Sequence, residues 1–215
     1  MARIISFCSG KGGVGKTVVA ANLGRALAKL GKQVLLVDMD IGLRNLDIVL
    51  DVSDRVVFDI TDVLNGVAEF SRAVIRCRSG VALLPASQTK TPEDISLPKL
   101  GELLQQLNSV YDYILLDSPS GVGIGFQNSV KYADLAIVVA NPDDCSLRDA
   151  DKVFAELEKL GKSKTKLLVN RDGAKFFADS VSPKKMAAKL SAELFGIISE
   201  GKLEKGAAAI AKRLV

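Results

Sequence analysis

Two lysines and four glycines crowd into eight residues near the start of the chain, Gly10-Lys11-Gly12-Gly13-Val14-Gly15-Lys16-Thr17. The order fits G-x-x-x-x-G-K-[ST], a phosphate-binding loop, and the residue types explain the chemistry. Small residues let backbone N–H groups close around a phosphate, and the start of a following helix adds partial positive charge. Lys16 is suited to neutralise the outer phosphates of a nucleotide, and Thr17 to offer its hydroxyl to Mg²⁺. Gly10, Lys11, Gly12, Gly13, Val14, Gly15, Lys16, Thr17 and Val18 are therefore the candidate nucleotide-binding residues.

Carboxylates supply the other half of such a site. Asp117 closes the apolar run Tyr113-Ile114-Leu115-Leu116 and is the candidate acid for the metal, acting directly or through a water. Asp38 and Asp40 follow Gln33-Val34-Leu35-Leu36-Val37. Acids at the C-terminal end of a parallel strand face the ligand crevice of an open α/β sheet. The chain has no histidine, which excludes histidine catalysis and histidine metal sites. Its cysteines, Cys8, Cys77 and Cys145, lie far apart with no C-x-x-C spacing. That argues against a disulfide framework or a zinc site and for a reduced, intracellular chain.

These groups need a scaffold, and the apolar pattern describes one. Residues 3–8 read as a short buried strand before the glycine loop, with a helix from about Lys16 to Leu30 after it. Val19, Leu23, Ala26, Leu27 and Leu30 recur there at helical spacing, and Gly31 supplies the stop. Further apolar runs at 33–37, 81–85, 113–117, 135–139 and 166–170 read as strands. Residues 54–76 predict one or two short helices, and 87–98 a polar loop. Helices follow over a segment using Leu100, Leu103, Leu104 and Leu107, over roughly 126–132, and over 146–160. Ser182-Pro183 reads as N-cap and first turn of a helix packing through Met186, Leu190 and Leu194. Gly196-Ile197-Ile198 suggests a final short strand. Leu203, Ala207, Ile210 and Leu214 form one face of a closing helix. Continuous apolar strands alternating with amphipathic helices predict an α/β fold in three layers, a mostly parallel sheet with helices on both faces. No linker or composition shift divides the chain, so residues 1–215 read as one domain.

Bulk properties agree. At 215 residues, 48% hydrophobic and 25% charged, the chain is long enough for a well-buried core. A net charge of +4 permits contact with anionic lipid or nucleic acid without demanding it. No apolar run approaches the length of a spanning helix, and the start shows no signal-peptide pattern, so the expectation is a cytoplasmic protein.

The second lysine of the loop, Lys11, gives the sequence a resemblance to the ParA/MinD family of deviant Walker A P-loop ATPases, whose signature is K-G-G-x-G-K-[ST]. The resemblance implies a P-loop NTPase fold, an ATP and Mg²⁺ requirement, and a homodimer that sandwiches two nucleotides. By that resemblance Lys11 reaches the partner subunit's phosphates and assists hydrolysis in trans, much as an arginine finger does. The segment Asp38-Met39-Asp40-Ile41-Gly42-Leu43-Arg44-Asn45-Leu46-Asp47 is similar to the switch I of the family's division-site branch. So are Met1 to Ile5, Leu84 to Thr89, Asp117-Ser118-Pro119-Ser120-Gly121, and Asn141-Pro142 followed by Ser146-Leu147-Arg148-Asp149.

The resemblance gives the catalytic set as Lys11, Lys16, Asp40 and Asp117, with Asp40 positioning the attacking water. It gives the metal set as Thr17, Asp38 and Asp117, and places Asn45 near the dimer face. Asn170-Arg171 matches the base-reading element, since an amide offers both donor and acceptor to adenine. Implied partners are an inhibitor of the MinC kind and a topological regulator of the MinE kind, met through 146–149, with nucleic acid unlikely. A flagellar-number or DNA-partition ATPase shares the same switch chemistry and is the alternative. An iron–sulfur relative would need a cysteine pair flanking the switches, which these cysteines do not supply.

The sequence departs from the family at Val18, where a second threonine is usual, and at Ile197-Ile198-Ser199-Glu200, which lacks the usual proline. The apolar stripe of the last helix reads as core-facing, so any peripheral contact with the inner membrane face is expected to be weak.

Overall fold

In the computed structural model, residues 1–174 and 180–215 are described. In chain order the described elements are β1 (Arg3–Cys8), α1 (Lys16–Lys29), β2 (Val34–Asp38), α2 (Leu46–Leu50), α3 (Ile60–Leu64), α4 (Phe70–Ala73), β3 (Ile75–Arg76), β4 (Ala82–Leu84), α5 (Leu97–Leu107), β5 (Tyr113–Asp117), α6 (Ile124–Val130), β6 (Leu135–Ala140), α7 (Asp144–Lys159), β7 (Thr165–Asp172), α8 (Pro183–Lys189), β8 (Glu193–Ser199) and α9 (Leu203–Leu214). The strands form one sheet in the order β3-β4-β2-β5-β1-β6-β7-β8. Every pairing is parallel except β3 with β4 at the edge.

Alternation along each strand sorts the core into two sides of that sheet, because successive side chains point to opposite faces. Leu36, Leu115, Ile137 and Leu168 pack with α1, α2 and α9. Leu35, Val37, Ile114 and Leu116 pack with α3 and α5, and Ala136, Val138 and Val169 with α6, α7 and α8. The three-layer expectation therefore holds. The closing helix buries Ala207, Ile210 and Ala211, with Leu203 and Leu214 against the same core. Its apolar stripe faces protein, as the sequence suggested.

Two expectations need correction. Residues 54–76 hold the two short helices α3 and α4, but also β3, a two-residue antiparallel strand with no apolar run to announce it. The last strand is longer than Gly196-Ile197-Ile198. Leu194, assigned from spacing to the preceding helix, lies in β8 opposite Leu167. Ser191, at φ 49°, ends α8 and turns the chain before Leu194 is reached.

Candidate active site

β1 ends at Cys8 in the middle of the sheet, and the glycine loop connects it to α1. Gly15 sits at the N-terminus of α1 with φ 88°, a left-handed conformation that glycine adopts without a Cβ penalty. No side chain caps this helix and no acid stands in its first turn. Its N-terminal N–H groups and dipole therefore face outward toward an anion. A Cβ on Gly15 would also lie 2.5 Å from Asn170 Nδ2, so a larger residue there would have to displace that amide.

Parallel register brings the acids to the loop. Asp117 lies opposite Asp38 in β2 and Phe7 in β1, so both carboxylates reach the end of the sheet beside the glycine loop. Lys16 Nζ pairs with Asp117 Oδ1 at 2.6 Å, and both side chains are buried. Asp117 Oδ2 is also buried and has no partner. Asp38 is fully buried and engaged by backbone: Asp40 N–H donates to Oδ1, and the N–H groups of Asn45 and Leu46 donate to Oδ2, all at 3.0 Å. Asp38 thus fixes the turn that leads into α2, with both carboxylate oxygens engaged by backbone. Asp40 is half-buried and accepts from Asn45 Nδ2 at 3.2 Å.

Desolvation, and after it the Asp117 charge, pushes the Asp38 carboxyl up to about 7 from 3.8; the N–H groups of Leu46 and Asp40 oppose this. The Asp40 carboxyl is also raised, first by burial, while nearby Lys16 counteracts. A raised folded pKa means that the folded chain holds the proton longer than the unfolded one. The Asp38 contribution is therefore most favourable below 3.8 and is lost as pH climbs to about 7. Urea unfolding of the ligand-free chain is expected to show stability declining across that window. Asp38→Asn should flatten the decline, and an unchanged slope would remove Asp38 as its source.

A cleft of about 460 Å³ opens over these groups, lined by the loop from Lys11 to Val18 and by Asp40, Asn45, Ser120 and Arg171. Lys11 is exposed at its rim and forms no ion pair among the described residues. Asn170 lies beside the glycine loop. Its amide Nδ2 donates one of its two N–H bonds to the Val14 carbonyl at 2.9 Å, bracing the loop. Arg171 does line the cleft, with φ 58°. Sequence reasoning missed Ser9, Leu43, Ile48 and Val49 as lining residues. The position of Ser9, directly before the motif, and of Leu43, inside the segment 38–47, signalled their places, whereas Ile48 and Val49 carried no such signal.

The residues fit Mg²⁺ as bound beside a nucleotide. Among the described residues no cluster of three metal-binding side chains forms a protein cage. Mg²⁺ ordinarily keeps waters and phosphate oxygens and takes few protein ligands. The unpartnered Asp117 oxygen and the Thr17 hydroxyl supply such a partial set.

A central glycine loop, a second loop lysine and two strand-end acids on a parallel sheet define a P-loop ATPase of the deviant Walker A kind. Residues 2–169 match the protein family described as AAA domain. The putative septum site-determining protein MinD of Guillardia theta is 42% identical over 204 residues, covering 93% of this chain and 76% of that protein. The MinC:MinD cell division protein complex of Aquifex aeolicus superposes with TM-score 0.87 at 39% identity, over 99% of this chain and 96% of that one. MinD from Pyrococcus horikoshii OT3, complexed with Mg-ADP, superposes with TM-score 0.87 at 31% identity, over 100% and 96%. This chain belongs to the MinD family of septum site-determining proteins. Matches to curated relatives span from 64% to 79% of their length. No helix among the described residues is long and apolar enough to cross a membrane.

Proposed function

We propose that the chain is a Mg-dependent ATPase that works as an ATP-driven dimerisation switch in division-site placement, hydrolysing ATP to ADP and phosphate. The observation that carries this is the opposite fate of the two loop lysines. Lys16 is buried against Asp117, whereas Lys11 is exposed at the rim of an open cleft. A solitary chain gives Lys11 nothing to neutralise; a second copy facing the cleft would bring phosphates to it. Leu43 and Ile48 lie at the same cleft, 66% and 67% exposed, and offer apolar surface for that copy.

In this reading the backbone N–H groups from Gly10 to Thr17 hold the phosphates. Lys16 exchanges Asp117 for the outer phosphate oxygens. Asp117 and Thr17 would hold the metal, which when bound would neutralise phosphate charge. Asp40, held by Asn45, orients the attacking water, and Lys11 stabilises charge in the partner's site. Phosphoryl transfer needs positioning and charge neutralisation more than a strong base, so two acids and two lysines suffice. Val18 contributes its backbone N–H only, and Arg171 borders the nucleotide.

A partner of the MinC kind is supported by the Aquifex aeolicus neighbour, a MinC:MinD complex, and the family resemblance of residues 146–149 puts the contact at the start of α7. Ser146 and Leu147 are buried and build the helix start, where Ser146 Oγ accepts the Asn141 N–H at 2.8 Å. Contact with a MinC-like inhibitor or MinE-like regulator falls instead to Arg148 and its exposed neighbours. Membrane contact in this reading is peripheral and ATP-dependent.

Sizing of an Asp40→Ala variant with saturating Mg-ATP tests the switch. The variant is expected to run as a dimer with ATP and a monomer with ADP. A monomer under both conditions would overturn the proposal.

A further inference from the structure

A second recess lies outside the nucleotide cleft, on the surface between α1 and α9. It comprises a groove of about 910 Å³ and a narrower pocket of about 140 Å³ that share Asn22, Arg25, Lys29, Glu204 and Ala208. Five cations border it: Arg25, Lys29, Lys202, Lys205 and Lys212. The only acid on its lining is Glu204, and none of the five cations forms an ion pair among the described residues. Like charges gathered around one concavity repel each other and raise the local concentration of anions. The narrower pocket sets Ala26, Leu30 and Ala208 beside these cations. It therefore suits an anion with a small apolar appendage. Among the described residues no aromatic ring lines the recess, which offers no platform there for stacking a base.

The recess is wired to the nucleotide cleft by two hydrogen bonds. Arg25 Nη2 donates to the Val49 carbonyl at 2.8 Å, and Asn22 Nδ2 donates to the Val18 carbonyl at 2.8 Å. Val18 and Val49 both line the nucleotide cleft. Val49 belongs to α2, the helix that Asp38 ties to switch I. A ligand that draws the Arg25 guanidinium into the groove weakens its hold on α2, so the two sites are linked.

We propose that the α1–α9 groove is a second phosphate site. It takes a phosphate ester bearing a small apolar group, either free glycerol phosphate or the headgroup of an anionic phospholipid, and it communicates with the switch through Arg25. The linkage rests on the ATPase reading; the binding does not.

The test uses the full chain saturated with Mg-ADP, so that the glycine loop is filled. Glycerol 3-phosphate is titrated by calorimetry, and vesicles of phosphatidylglycerol in phosphatidylcholine are tested by sedimentation. Saturable binding in the first arm identifies a free phosphate ester, and binding in the second arm alone identifies lipid. In either case Lys29→Glu with Lys212→Glu, both exposed positions, is expected to weaken binding roughly tenfold or more. Arg25→Lys keeps the charge but shortens the fork. It is expected to retain the probe while abolishing the probe's effect on ADP affinity. Binding of neither probe, binding indifferent to the double substitution, or binding of duplex DNA alone would overturn the site. Failure of Mg-ADP to bind would count against the ATPase reading, and probe titration without nucleotide would still test the groove.

Discussion

Lys16→Ala is expected to lower ATP hydrolysis by about a thousandfold and to destabilise the ligand-free chain by about 3–5 kcal/mol. The two losses have different origins. Hydrolysis suffers because the loop loses the cation that neutralises charge developing on the transferred phosphoryl group. Stability suffers because Lys16 and Asp117 form a pair at 2.6 Å with both side chains buried. Removing the lysine leaves the Asp117 carboxylate desolvated, with Oδ2 already lacking a partner. A double variant, Lys16→Met with Asp117→Leu, separates them. It is expected to recover most of the stability, because an apolar pair of similar volume avoids the desolvation cost, and to recover no activity. Urea unfolding and steady-state phosphate release read the two effects. A stability loss below about 1 kcal/mol for Lys16→Ala would mean that water screens the pair.

Gly10→Ala is expected to be the most damaging single glycine substitution in the loop, at about 3 kcal/mol, with a parallel loss of nucleotide affinity. The cause is proximity. A Cβ on Gly10 would lie 2.7 Å from the Asp149 carbonyl carbon, with the carbonyl oxygen closer still. That obstacle is backbone inside α7, which cannot swing away as a side chain can. Gly13 makes the contrast. It has φ 81° but nothing within 4 Å of a Cβ, so alanine there costs only conformational strain, about 1 kcal/mol. Thermal unfolding of both variants checks the order, and equal costs would show that α7 yields. The contact also has a functional side. Arg148, adjacent to Asp149, is exposed on the helix proposed to meet partner proteins.

Much of the site was legible before any coordinates, because its signals are local. The glycine loop, its flanking strand and helix, and the strand-closing Asp38 and Asp117 lie in short runs whose residue types state their own roles. The parallel, two-sided sheet was legible for the same reason: buried strands are continuous apolar runs, repeated along the chain. Residues 54–76 were legible only in part. A two-residue edge strand carries no period, and β3 forms only because β4 presents a free edge.

What the tertiary structure decided is the pairing of groups far apart in the chain. Lys16 meets Asp117 across 101 positions, and Asn170 meets Val14 across 156. No spacing rule reports such partners, since sheet order and register set them. The eight-residue motif by itself determined that a phosphate is held and that two lysines are available. Only the fold decided that Lys16 is buried against an acid while Lys11 remains exposed. It also set Asn170 Nδ2 against the Val14 carbonyl of the loop, and it gave the Asp38 carboxylate to the backbone N–H groups of Asp40, Asn45 and Leu46. The reason is physical: local pattern fixes which groups a segment carries, whereas burial and pairing follow from the surfaces that packing brings against it.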